Sequence, residues 1–221
     1  MRSRFQQGLD ELKEKLLRMG GLAEQAIDRA TEAYRTRDSK FCQMVLTGEN
    51  AINEAEREID ELALDLLAMQ QPMAIDLRFI LAVLKINADL ERVGDQAVNI
   101  AQSAMRVMRH PQVKPYVDLP RMSELAEAMV RDSLNALVRG DQELAQSVLR
   151  RDDQVDRLRD QLFRELLTYM MEDSAQVFAA FELILVAKNL ERIGDHATNI
   201  AEDVIYFVAG RDVRHPALDR R

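Results

Sequence analysis

The segment Leu90-Glu91-Arg92-Val93-Gly94-Asp95-Gln96-Ala97-Val98-Asn99-Ile100-Ala101 returns one hundred positions later as Leu190-Glu191-Arg192-Ile193-Gly194-Asp195-His196-Ala197-Thr198-Asn199-Ile200-Ala201. Nine of the twelve residues are identical, so the chain carries an internal duplication. In both copies Glu, Asp and Asn are spaced i, i+4, i+8. Each four-residue step advances only about 40° around a helix, so the three oxygen-bearing side chains stack on one face.

The segments around the repeat read as long helices. Ala, Leu, Glu, Arg and Met abound, Trp is absent, and Gly and Pro are few. All five prolines, at 72, 111, 115, 120 and 216, fall between periodic segments, as expected of a residue that breaks helix interiors. Periodicity predicts a helix over 3–34, capped by Ser3 with Gln6. Its seam is Phe5, Leu9, Leu12, Leu16, Met19, Ala23, Ala26 and Ala30, interrupted at Gly20-Gly21. A second helix follows Asp38 as N-cap and ends at Pro72. A third spans 76–108, with Glu91 and Asp95 where the seam calls for apolar residues.

After the proline-rich stretch 111–120, further helices are predicted over 121–138, from the cap Asp141 to about 171 in one rod, and from the cap Asp173 or Ser174 to about Gly210. Short connections make neighbouring helices antiparallel. The expected fold is therefore all-α: two tandem three-helix bundles related by pseudo-symmetry, 1–110 and 121–221, joined by a linker at 111–120.

The 221 residues carry a formal charge of −8, which argues against a nucleic-acid partner. The single Cys42 rules out an intrachain disulfide and fits a reducing compartment. No signal peptide and no apolar run of membrane-spanning length is present, which places the protein in the cytoplasm.

Two further pairs matter once the hairpins are folded: Glu49 with Asn53 in the first half, Asp152 with Asp156 in the second. With turns centred near 73 and 173, Glu49 and Asn53 come level with the region around Asp95. Asp152 and Asp156 come level with Glu191 and Asp195. Clustered carboxylates repel, by about 4 kcal/mol for one pair at roughly 4 Å and an effective dielectric near 20. Arg92 and Arg192 point about 100° away from the neighbouring glutamates and cannot neutralise the whole stripe. We therefore expect each hairpin to bind metal through oxygen ligands, a set that suits magnesium, calcium, manganese or iron. A lone pair of this kind is usually just a solvated helix face; four pairs at matching depths in a duplicated core are not. His196, with Gln96 as its counterpart, reads as a surface histidine. Gly94 and Gly194 read as sites of close helix approach.

The segments Gln71-Pro72-Met73-Ala74-Ile75-Asp76-Leu77-Arg78, Leu167-Thr168-Tyr169-Met170-Met171-Glu172-Asp173 and the two LER[VI]GD repeats resemble the PhoU family of phosphate-system regulators over essentially the whole chain. The resemblance implies the double bundle, dimerisation, and multinuclear metal clusters on E(D)xxxD stripes. By position these are Glu91, Asp95 and Asn99; Glu191, Asp195 and Asn199; and Asp152 with Asp156. Glu49 and Asn53 match less closely, because Asn53 puts an amide where the family has an acid. Candidate ions are iron, manganese, magnesium and zinc. The implied role is a non-enzymatic adapter that restrains phosphate uptake and starvation signalling, its partners being the phosphate ABC transporter's ATPase and a membrane sensor histidine kinase. Two other readings compete: a carboxylate-bridged metal oxidase or iron store, for which the Glu-x-x-His motif is missing, and a metal-free scaffold.

Overall fold

The computed structural model describes residues 4–69, 74–113 and 118–210. The expected Ser3 cap, the Pro72 turn, Pro115 and the tail after Gly210 lie outside them. The chain is all-α, two three-helix units in tandem. Helices α1 (Arg4–Thr36), α2 (Ser39–Met69) and α3 (Ala74–Val107) form the first. Helices α4 (Asp118–Arg139), α5 (Gln142–Leu149), α6 (Asp152–Glu172) and α7 (Val177–Ala209) form the second, α5 and α6 together matching α2.

Local chemistry sets most of the ends. The Asp38 carboxylate accepts from Lys40 N–H at the start of α2. Arg37, at φ 57, turns the chain there and donates to the carbonyls of Met108 (2.9 Å) and His110 (2.6 Å), bracing the end of α3. Gly140 adopts φ 62, and Asp141 then accepts from Leu144 N–H to cap α5. Asp173 accepts from Ala175 N–H and leads through a single 3-10 turn, Ser174–Gln176, into α7, which ends at left-handed Gly210.

Two predicted helix boundaries are corrected. The rod predicted from Asp141 to about 171 breaks at Arg150-Arg151, so that α5 packs on α4 and α7 before α6 begins. Arg151 is held there by Asp132 at 2.7 Å and by the Ser147 carbonyl. Helix α4 starts at Asp118, earlier than predicted. Pro120 lies in its first turn, where a missing N–H leaves no hydrogen bond unmade.

The buried apolar side chains of both halves form one continuous core. Its widest inter-helix contact joins the two repeat-bearing helices, α3 and α7. They run antiparallel: Lys85 meets Asp203 at 3.0 Å and Arg106 meets Glu182 at 2.7 Å. Alongside, α1 packs on α4. Gly20 does not interrupt α1; it lets Leu134 of α4 come so close that a Cβ there would overlap it.

Candidate metal centres

The close approach expected at the repeat glycines fixes the register of both hairpins. A Cβ added to Gly94 would come within 2.9 Å of Ile52 Cδ1, and one added to Gly194 within 3.5 Å of Val155 Cγ1. Ile52 and Val155 are thus equivalent. Glu49 and Asn53 straddle the first as Asp152 and Asp156 straddle the second. The flanking acids do not replace core residues in the seam. Leu90, Val93, Gly94 and Ala97 are buried there, while Glu91 and Asp95 stand half-buried at its edge.

In the first hairpin the α2 acid that acts on Glu91 is Glu56, one turn beyond Asn53. Glu56 and Asp60 come level with Asn87 and Glu91. Asn87 Nδ2 donates to the Glu56 carbonyl at 3.0 Å and to Asp60 Oδ1 at 2.9 Å. Asn87 is 1% exposed, and its Oδ1 has no partner. Burial, then the charges of Asp95 and Glu56, push the Glu91 carboxyl above its ordinary range. Burial and the neighbouring Asp60 push Glu56 the same way. The cation beside Glu91 is Arg92, 3.4 Å away on a largely exposed side chain.

In the second hairpin Glu191, Asp195, Asp152 and Asp156 act on one another's charge, with Asp195 at the exposed rim. The Asp195 carboxyl rises to about 6, chiefly by burial, then by the charges of Glu191, Asp152 and Asp156, with His196 opposing. Asp152 is raised by burial and by Asp156. A cation that sequence reasoning missed stands among them. Arg159 Nη1 lies 2.5 Å from Glu191 Oε1 and 3.3 Å from Asp156 Oδ1, and its Nη2 lies 2.9 Å from Asp160 Oδ1. Arg159 is three residues after Asp156, on the same helix face, and that spacing was the available signal.

The amides at the ends of the stripes are placed elsewhere. Asn199 donates to Asp89 Oδ1 at 3.2 Å, across the α3–α7 contact, and Asn99 is exposed. His196 is not a free surface group: its Nδ1 lies 2.8 Å from the same Asp89 oxygen. Asp89, His196 and Asn199 line a groove of about 490 Å³ with Lys85, Arg92 and Glu202.

Both hairpins hold the oxygen-only donors that hard cations prefer. Among the described residues no three His, Cys, Asp or Glu side chains converge closely enough to hold a metal ion. In the first hairpin the Glu56 and Glu91 carboxyls are raised and the buried Asn87 Oδ1 has no partner. In the second, Arg159 already claims Glu191 and Asp156. No helix among the described residues is long and apolar enough to cross a membrane.

The family model for the PhoU domain matches the chain twice, over 16–104 and 119–204. The chain is 42% identical over 217 residues to the phosphate-specific transport system accessory protein PhoU homolog of Pseudomonas putida, covering 98% of this chain and 85% of that one. Against the homolog from Aquifex aeolicus it is 42% identical over 213 residues, 96% of each chain. The crystal structure of PhoU from Pseudomonas aeruginosa superposes with a TM-score of 0.91 at 40% identity, over 94% of this chain and all of that one. The phosphate transport system regulatory protein PhoU from Streptococcus pneumoniae gives 0.87 at 26% identity, over 95% and 99%. With its duplicated acid-bearing hairpins and this likeness along nearly its whole length, the chain belongs to the PhoU family.

Proposed function

We propose that this chain is a cytoplasmic, non-enzymatic regulator of phosphate uptake that restrains a phosphate ABC transporter and phosphate-starvation signalling. It works as an adapter between the transporter's ATPase and a sensor histidine kinase, and two copies pair. The observation that carries this reading is near-full-length similarity to phosphate-specific transport accessory proteins, joined to a cluster of mutually repelling carboxylates in each hairpin.

Metal binding is part of the proposal. In the first hairpin Glu56, Asp60, Glu91 and Asp95 would hold a hard cation, with Glu49, Asn53 and the buried Asn87 carbonyl oxygen beside them. In the second, Asp152 and Asp195 remain after Arg159 has engaged Glu191 and Asp156. A bound cation supplies positive charge that relieves carboxylate repulsion and braces one helix to the next. The protein's own residues set the depth of the donors and the spacing between hairpins.

A pull-down of the purified chain against the transporter ATPase and the kinase cytoplasmic region, at high and low phosphate, tests the role. Binding to both at high phosphate is expected. No binding to either, under either condition, overturns the adapter reading.

A further inference from the structure

We propose that Arg159 is the resident counter-ion of the second acidic hairpin, and that the two halves have thereby diverged: the first needs an added cation and the second supplies its own. The contact of Ile52 with Gly94 and of Val155 with Gly194 sets the correspondence between α2 and α6. Four residues past Ile52 is Glu56, and four residues past Val155 is Arg159. The same site in the duplicated hairpin is therefore acidic in one half and cationic in the other. Its neighbour on the facing helix is glutamate in both, Glu91 and Glu191.

The geometry matches the assignment. The Arg159 guanidinium lies 2.5 Å from Glu191 Oε1, 3.3 Å from Asp156 Oδ1 and 2.9 Å from Asp160 Oδ1, so it joins α6 to α7. A planar guanidinium with several donors in a fixed fork suits that task. At Glu56 no such bridge exists. The neighbours are Asp60, Glu91 and Asp95, and the cations acting on Glu56 are Arg92 and Arg57, both on exposed side chains; neither bridges carboxylates of the two helices as Arg159 does. An ion entering the second hairpin must compete with Arg159 for two of its four carboxylates; one entering the first meets no such rival.

The test uses the full-length chain and manganese(II) as the probe. Calorimetric melting in EDTA comes first. Arg159→Gln is expected to melt several degrees below the parent and Arg159→Lys close to it, while Glu56→Arg, which copies the second half's counter-ion into the first, melts higher. Manganese titration then uses a Glu56→Gln/Asp60→Asn background in which the first hairpin is disabled. There, Arg159→Gln is expected to bind manganese at least tenfold more tightly than the same background with Arg159 intact. The proposal is overturned if Arg159→Gln melts like the parent in EDTA, or if it binds manganese no more tightly in that background. The role proposed above enters only the manganese arm. Should all variants fail to bind manganese, the divergence of the two halves is overturned together with the metal reading, even where the EDTA melting order holds.

Discussion

Arg106 on α3 reaches Glu182 on α7 at 2.7 Å, and that carboxylate is only 4% exposed. With Lys85–Asp203 it ties the two halves at two levels of their widest contact. Removing one partner of such a pair strands a buried charge. Arg106→Ala is expected to cost about 3 kcal/mol, which lowers Tm by roughly 6–12 °C in a chain of this size. The double variant Arg106→Met/Glu182→Leu should recover most of the loss, since an apolar pair strands nothing. Thermal unfolding of the three proteins checks both statements; an Arg106→Ala variant melting with the parent would show that Glu182 is satisfied without Arg106.

The repeat glycines should respond differently to alanine. Each costs its helix about 1 kcal/mol relative to alanine. At Gly194 the nearest atoms to an added Cβ are 3.5 and 3.6 Å away on Val155, an ordinary contact. Gly194→Ala is thus expected to raise Tm by about 2–4 °C. At Gly94 the same methyl meets Ile52 Cδ1 at 2.9 Å and Cγ2 at 3.3 Å. Gly94→Ala should then leave Tm unchanged or lower it, and adding Ile52→Ala should change the sign of the alanine effect. Equal behaviour of the two glycines in a melting assay would contradict the unequal packing.

Much of this fold is legible because its punctuation is local. Asp38, Gly140, Asp141, Asp173 and Gly210 each mark an end by chemistry contained within a few residues. The break at Arg150-Arg151 has no such mark. No proline or glycine stands there, and the chain turns because packing against α4 and α7 and the Arg151–Asp132 pair reward it. The acidic clusters were legible in height, since residue counting along antiparallel rods needs only the turn. Their composition was less so. Glu56 and Asp60 carry the expected i, i+4 spacing but lie five and nine residues past the level of Asp95, and Arg159 is announced by its i, i+3 spacing from Asp156 rather than by adjacency to a glutamate. Asn199 and His196 depend on Asp89, more than a hundred positions distant, which no local pattern announces.

Acid should stabilise the metal-free protein over a definite window. The Asp195 carboxyl is raised from 3.8 to about 6, and Glu56, Glu91 and Asp152 are shifted in the same direction, each chiefly by burial. Between the ordinary value and the raised one the folded state holds more protons than the unfolded state. Stability from this source is therefore present at low pH, falls as pH rises from about 4 to about 6, and is gone above that. Glu58, bonded to Lys15 at 2.7 Å, shifts the opposite way, and its contribution disappears only at the acid end. In EDTA the protein should melt higher at pH 5 than at pH 7. Asp195→Asn should raise Tm at pH 7 and change it little at pH 4.5. A lower Tm for Asp195→Asn at pH 7 would mean that the native Asp195 charge is compensated.

Asp89 holds two groups from the opposite half through one oxygen: His196 Nδ1 at 2.8 Å and Asn199 Nδ2 at 3.2 Å. A carboxylate oxygen is an acceptor only, so Nδ1 must carry the proton. The imidazole is accordingly the Nδ1–H tautomer when neutral, with Nε2 as the available acceptor. Nitrogen-15 shifts of the His196 ring should report that tautomer in the parent at pH 8. In Asp89→Ala they should move toward the mixture typical of a solvated histidine. The loss of two cross-half hydrogen bonds to a charged acceptor is worth about 1.5–3 kcal/mol each. Because both donors are partly exposed and regain water, the net destabilisation should lie near the lower figure for the pair, about 1.5 kcal/mol. Asp89→Asn, whose side-chain oxygen still accepts, should retain the ring tautomer and most of the stability. If Asp89→Ala leaves both the nitrogen shifts and Tm unchanged, Asp89 does not couple the two repeats.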